Sequence, residues 1–299
     1  MAAGFITYCN DLVARAKHAG WSVVSEKSIP YGRQWQMTDR AGFKAVLNAY
    51  SGKKGFKFHV GGKDAPQLNE ALGGMPVEAG GEVTTTDPFG LGLPRIGGDE
   101  SGKGDFFGPL VVAAFHLDAN TEKALAKSGI TDSKKLSDAQ IEKLAGLLDK
   151  TGRGHVMRLM PREYNPSYRK VGNLNVLLAQ MHGKCVQGIM KTLGAPGAVL
   201  IDEFARDGKV LRAAIAAPAG VKVVTRTKGE ADLAVAAASI LARAEFIRSL
   251  KELEHEFGQA FPPGAGTPVL KAGRDFVKSF GRDQLASVAK LHFKTIDSL

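Results

Sequence analysis

Apolar residues in the first twenty positions recur at helical spacing: Phe5, Tyr8, Leu12 and Ala16 fall on one side of a helix that Gly20 would stop. The rhythm then shortens. Trp21–Val24, Gln34–Thr38 and Phe56–Val60 alternate or cluster β-forming residues and read as strands. They are separated by Pro-Tyr-Gly, by a short helix predicted over Ala41–Ala49, and by Ser-Gly-Lys-Lys-Gly. Residues Gly73–Asp87 are rich in Gly, Thr and Pro and read as part of a linker. Beyond them the elements lengthen. PLVVAAFHL (109–117), GAVLIDEF (197–204) and VKVVTRT (221–227) are predicted strands. Helices are predicted over Ile141–Leu148, opened by a capping box at Ser137-Asp-Ala-Gln140, and over Asn173–Leu193 and Ala231–Phe257. Strands mixed with helices on this scale indicate an α/β domain around a central sheet. The chain shows no internal repeat and no low-complexity tract.

Composition narrows the class. The chain has 299 residues, room for one large domain or two, and 44% of them are hydrophobic, as in an ordinary globular protein. No run reaches the apolar length that spans a bilayer, and the N-terminal MAAGFITYCNDLVARAKHAG is charged where a signal peptide would be uninterruptedly apolar. The expectation is a cytoplasmic protein without a membrane partner. Cys9 and Cys185 stand in no metal-ligand spacing and read as small buried side chains. Forty Lys and Arg against thirty Asp and Glu give a net charge of +10, which favours polyanionic partners but also serves simple solubility. With no exposed heptad stripe in the pattern, a monomer is expected.

The candidate chemistry centres on residues 98–109, GDESGKGDFFGP. Their glycines are not spaced as GxGxxG and no GxxxxGK[ST] occurs, so neither a dinucleotide nor a Walker-type site is indicated. A Gly-rich acidic hairpin turn would explain the segment alone. Other carboxylates weigh against that. Asp202 ends the apolar strand AVLI, where an α/β sheet presents side chains to a cleft. Glu230 and Asp232 follow VKVVTRT at the mouth of the next helix, where each could equally complement the helix dipole. Acids from three strand tips on a basic protein can hold Mg²⁺, a hard cation that takes oxygen ligands and completes its shell with water and substrate phosphate.

The segment Gly98–Pro109, with Asp132-Ser-Lys-Lys-Leu136, resembles the type 2 ribonucleases H, and the GKG at Gly102–Gly104 resembles their ribonuclease HIII branch. Tyr164-Asn165, Asn173-Leu174-Asn175, His182, Val235–Arg243, Gly264–Gly266 and Ala289–Thr295 agree in the same order, and AYSGKKGFKFHVGG (49–62) is similar to the end of that branch's TATA-binding-protein-like domain.

The resemblance implies a ribonuclease H-like fold, a mixed central sheet with flanking helices, over 93–299. It also implies a small N-terminal α+β TATA-binding-protein-like domain over 1–72 that binds substrate, with a linker over 73–92. It implies an endoribonuclease that hydrolyses the RNA strand of RNA/DNA hybrids and leaves 5′-phosphate and 3′-hydroxyl ends. By motif position the active site is Asp99, Glu100, Asp202 and Glu230, with Asp232 as an alternative fourth ligand. These would hold two Mg²⁺ ions, for which Mn²⁺ can substitute, about 3.5–4 Å apart, with Asp99 shared between them.

Ser101, Gly102, Lys103 and Gly104 would read the ribose 2′-hydroxyl and its phosphate. Lys134 in DSKKL would contact the nucleic-acid backbone. Lys53, Lys54 and Lys57, with Lys63 and the interleaved Phe56, Phe58 and His59, would form a grip on the hybrid, the other reading being a folded cap with solvated lysines. His182 is expected in the core. The chain departs from the family pattern at Pro263, where a lysine is usual, and by one residue between Glu230 and Ser239. The competing functions are a ribonuclease HII-like enzyme that also cuts at a single ribonucleotide in DNA, and a non-catalytic hybrid-binding module.

Overall fold

A computed structural model of the protein describes residues 3–29, 31–52, 55–62, 67–68, 72, 87–126, 128–130, 133–204 and 208–299. The chain divides into two compact units, Met1–Thr84 and Thr85–Leu299.

In the first unit, helix α1 (Ala3–His18) covers one face of an antiparallel sheet of β1 (Trp21–Ile29), β2 (Gly32–Asp39), β3 (Lys44–Gly52) and β4 (Gly55–Gly61), in that spatial order. Phe5, Cys9, Leu12 and Ala16 recur at the helical period and bury against Trp21, Trp35, Met37 and Leu47. The helix predicted over Ala41–Ala49 is wrong, because Lys44–Gly52 is strand β3. Ala45, Leu47 and Ala49 are buried at a spacing of two, so burial against α1 overrides the helical propensity of the alanines. Lys53, Lys54 and Lys63 and the body of the expected linker lie outside the described residues.

The second unit is built on a five-stranded mixed sheet in the order β7-β6-β5-β8-β9, with β5 Arg95–Ser101, β6 Leu110–Leu117, β7 Gly154–Leu159, β8 Ala198–Asp202 and β9 Lys222–Arg226. β8 runs parallel to both β5 and β9, whereas β6 is antiparallel to β5 and to β7. The described helices are α2 (Ala119–Leu125), α3 (Asp138–Asp149), α4 (Pro161–Val171), α5 (Leu174–Leu193), α6 (Gly208–Ile215), α7 (Leu233–Phe257), α8 (Thr267–Phe280) and the short α9 (Leu285–Val288). The capping box forms as predicted: Ser137 N donates to Gln140 Oε1 at 2.9 Å and Gln140 N to Ser137 Oγ at 3.4 Å.

Strand β6 is buried throughout, and its alternation divides the core. Val111, Ala113, Phe115 and Leu117 join the layer made by α7 and α3, while Leu110, Val112 and Ala114 join the layer made by α5 and α6. Cys185 is buried in the second layer and Cys9 in the α1 core, both as free thiols. Among the described residues, no helix is long and apolar enough to cross a membrane.

Two features seat α7 on β5. A Cβ on Gly97 would stand 2.2 Å from the backbone of Ala234 and Val235, so only glycine lets the first turn of α7 lie directly on the strand. Beside it, Arg95, fully buried, donates from Nε to Asp232 Oδ2 at 2.8 Å, and Asp232 Oδ1 caps α7 by accepting from Ala234 N at 2.8 Å. Breaking such a pair leaves a buried charge without its partner. Arg95→Met is therefore expected to lower the stability of the second unit by about 3–5 kcal/mol, read by denaturant titration; a change below about 1 kcal/mol would show that Asp232 is solvated.

Candidate active site

Asp99 and Glu100 sit near the C-terminal end of β5, and Asp202 closes the neighbouring parallel strand β8. The parallel register fixes this. Gly98 pairs with Ile201, so the residues that follow on both strands emerge at one edge of the sheet. All three acids line a cleft of about 510 Å³, together with Ser101–Gly104, Lys134, Ser239 and Arg243.

Glu230 does not line that cleft. It sits in the 3₁₀ turn Gly229–Ala231, and that turn is fastened to the site because Gly229 N donates to Asp202 Oδ1 at 2.8 Å. A Cβ on Gly229 would stand 3.0 Å from the same oxygen, close enough that Asp202 would have to give by a few tenths of an ångström. Asp232, two residues on, is fully buried with both carboxylate oxygens engaged, one by Arg95 and one by Ala234 N.

Crowding of like charges marks the centre. Burial, and then the neighbouring Glu100 and Asp202, push the Asp99 carboxyl up to about 7, against the stabilising hydrogen bonds from Ser239 and from Glu100 N at 2.8 Å. Asp202 is raised by burial and by Glu230 and Glu100, with the Gly229 bond and Lys134 acting in the other direction. Glu100 Oε2 is buried without a hydrogen-bond partner. His182 Nε2 lies 3.6 Å from it.

This donor set, hard carboxylate oxygens with one oxygen unpaired, fits a divalent cation. No group of three or more His, Cys, Asp or Glu among the described residues is gathered tightly enough to cage an ion alone. Repelling carboxylates do not close on one another unaided, and Mg²⁺ commonly relies on one or two of them with water and substrate phosphate.

The remaining predicted residues are placed as follows. Gly102 has φ 86 and lies so near Pro109 O that a Cβ would stand 2.1 Å away, so the GKG segment is a turn folded onto its own exit. Lys103 Nζ donates to Phe204 O at 3.0 Å and lies 3.5 Å from Glu100 Oε1. Lys134 is exposed in the 3₁₀ turn Ser133–Lys135. Lys57 is exposed on β4, in the first unit. His182 is in the core of α5 as expected, stacked on Phe204 at 5.2 Å, with both ring nitrogens unpaired.

Sequence reasoning passed over Ser239 and Arg243 as site residues. They stand four apart on the otherwise largely buried α7, and this polar i, i+4 pair in VAAASILAR was the available signal. It also missed Ser133, whose hydroxyl lies 2.8 Å from that of Ser239.

A family model described as ribonuclease HII matches residues 96–296. The chain is 40% identical over 206 residues to a ribonuclease HIII of Protochlamydia amoebophila, covering 69% of this chain and 68% of that one. It is 40% identical over 208 residues to a ribonuclease HIII of Chlamydia felis, covering 69% of each. Among solved structures it resembles Bst-RNase HIII in complex with Mn²⁺, with a TM-score of 0.67 and 27% identity over 97% of this chain and 94% of that one. It also resembles Aquifex aeolicus RNase H3, with a TM-score of 0.54 and 25% identity over 98% of each chain.

The raised Asp99 carboxyl has a consequence for stability. Its protonated form is favoured by folding, so its contribution is complete below the unfolded carboxylate range and is lost as pH rises through about 7. In chelator, the melting temperature of the native chain is expected to fall between about pH 4 and pH 7 more steeply than that of Asp99→Asn. Parallel curves for the two proteins would contradict the crowding described here.

Proposed function

The chain belongs to the ribonuclease HII and HIII family, and from that membership we propose that it is a metal-dependent endonuclease that hydrolyses the RNA strand of RNA/DNA hybrids. The observation that carries the reading is the convergence of Asp99, Glu100 and Asp202 on one cleft with the Ser101–Gly104 turn in its wall.

Asp99, Glu100, Asp202 and Glu230 are the residues that would hold the cations. Glu230 is favoured over Asp232 because Asp232 has both oxygens engaged in seating α7, whereas Glu230 is partly exposed and acts electrostatically on Asp202. Two Mg²⁺ ions, or Mn²⁺ in their place, would activate the attacking water and stabilise the leaving 3′ oxygen, giving a 5′-phosphate and a 3′-hydroxyl.

The chain's own groups do the orienting. Ser239 and Glu100 N hold Asp99, and Gly229 N holds Asp202. Lys103 is tethered between Glu100 and Phe204 O, within the turn whose glycines let backbone groups reach a ribose 2′-hydroxyl. Arg243 and Lys134 put positive charge on the cleft wall, where the phosphates of the RNA strand would lie. In the first unit, Lys57 and His59 are exposed on β4, alternate with Phe56 and Phe58 on the other face, and pair with Tyr50 and Asn48 of β3. This polar sheet face suits a grip on the hybrid.

The test is cleavage of an end-labelled RNA/DNA hybrid beside a DNA duplex carrying one ribonucleotide. The native chain is expected to cut the hybrid only with divalent metal. Asp99→Asn, Asp202→Asn and Glu230→Gln should each lower kcat by at least about 100-fold, the scale seen when one transition-state-stabilising group is removed. Asp232→Asn should instead lose stability. Equal cutting of the single-ribonucleotide duplex would move the chain to the ribonuclease HII activity, and binding without cutting would make it a hybrid-binding module. Lys57→Glu is expected to raise KM severalfold with kcat unchanged; an unchanged KM would remove the grip.

A further inference from the structure

Lys290 lies in the C-terminal segment and is 1% exposed, among the largest buried side chains of the chain. Its Nζ donates to three backbone carbonyls, Asp105 O at 2.8 Å, Gly108 O at 2.7 Å and Phe107 O at 3.3 Å. An ammonium has three N–H groups, and here each finds an acceptor.

The backbone adds to the clamp. Lys290 N donates to Phe106 O at 2.8 Å, Gly108 N donates to Val288 O at 2.9 Å, and Phe107 bridges Ala289. Asn165 pins the same segment from α4, its Nδ2 donating to Ala286 O and Ala289 O and its Oδ1 accepting from Leu291 N at 3.0 Å. The ring of Tyr164 stands 5.9 Å from the ammonium.

The clamped carbonyls belong to the second half of the loop whose first half is Ser101–Gly104. Carbonyl oxygens aimed at one point repel one another, and a cation with three N–H donors between them offsets that repulsion. Lys290 supplies that cation covalently. Burying it is costly: burial pulls the ammonium down to about 7 against the Asp105 carboxylate, which itself already accepts from Gly264 N. A residue needed only to fill the space would be apolar.

We propose that Lys290 is a positioning residue for RNA-strand cleavage, a built-in cation that gathers the carbonyls of Asp105, Phe107 and Gly108 and so holds the Ser101–Gly104 turn at the edge of the acidic cleft. The proposal rests on the reading of that turn as the part that meets the substrate ribose.

It is tested with Lys290→Met, similar in length but uncharged, and Lys290→Gln, uncharged but still able to donate hydrogen bonds, each measured for hybrid cleavage and for amide hydrogen exchange without substrate. In Lys290→Met, kcat/KM is expected to fall between about tenfold and about 100-fold, as for a misplaced positioning element, and the amides of residues 102–108 should exchange faster while those of α5 and β8 do not change. Lys290→Gln should fall between the native chain and Lys290→Met in both readouts; it carries the test if the methionine variant fails to fold.

Unchanged kcat/KM with unchanged exchange in the loop would overturn the proposal. So would faster exchange spread evenly over the second unit, which would make Lys290 a general staple of the fold. If the native chain failed to cut any hybrid, the functional reading would fall, and the exchange comparison would still decide whether Lys290 sets the loop.

Discussion

The site depends on how closely α7 lies on β5. Gly97 removes the side chain that would keep them apart, and the buried Arg95–Asp232 pair sets the height at which the helix begins. From that start, the helical rise carries Ser239 to Asp99 and, one turn further, Arg243 into the wall of the cleft. The same contact engages Asp232 in holding the helix, while Glu230, two residues earlier in the turn that grips Asp202, acts on Asp202 electrostatically.

The resulting cluster is electrostatically unfavourable on its own. Burial, and then Glu100 and Asp202, push the Asp99 carboxyl up to about 7, and an oxygen of Glu100 is buried without a hydrogen bond. Such a centre is stable enough to fold because the sheet, not the carboxylates, positions it: β5 and β8 end side by side whether or not the acids repel. That repulsion is what a bound divalent cation would relieve. The overall charge of +10 works in the same direction, drawing a polyanion towards a site whose centre is negative.

Much of this could be read from residue patterns. Asp202 at the end of an apolar run, the capping box at Ser137 and the helix rhythm of α5 and α7 are local signals, and each marks an element that forms. Where tertiary packing decides, local signals fail. Ala41–Ala49 reads as helix from its alanines, yet β3 forms because α1 covers its odd-numbered residues. The edge strand Gly154–Leu159 has no clean alternation, and α4 contains Pro166, so neither stood out. Spacing leaves Glu230 and Asp232 both open, because the bond that engages Asp232 comes from Arg95, 137 positions away.

If divalent cations complete the acid cluster, their binding must depend on Asp99 at its centre. Calorimetric titration of Mn²⁺ into the native chain and into Asp99→Asn, at about pH 6.5 where the raised Asp99 carboxyl still holds its proton, tests it directly. The expected result is saturable binding to the native chain, accompanied by release of protons, and loss of both in the variant. Equal binding and equal proton release in the two proteins would contradict it.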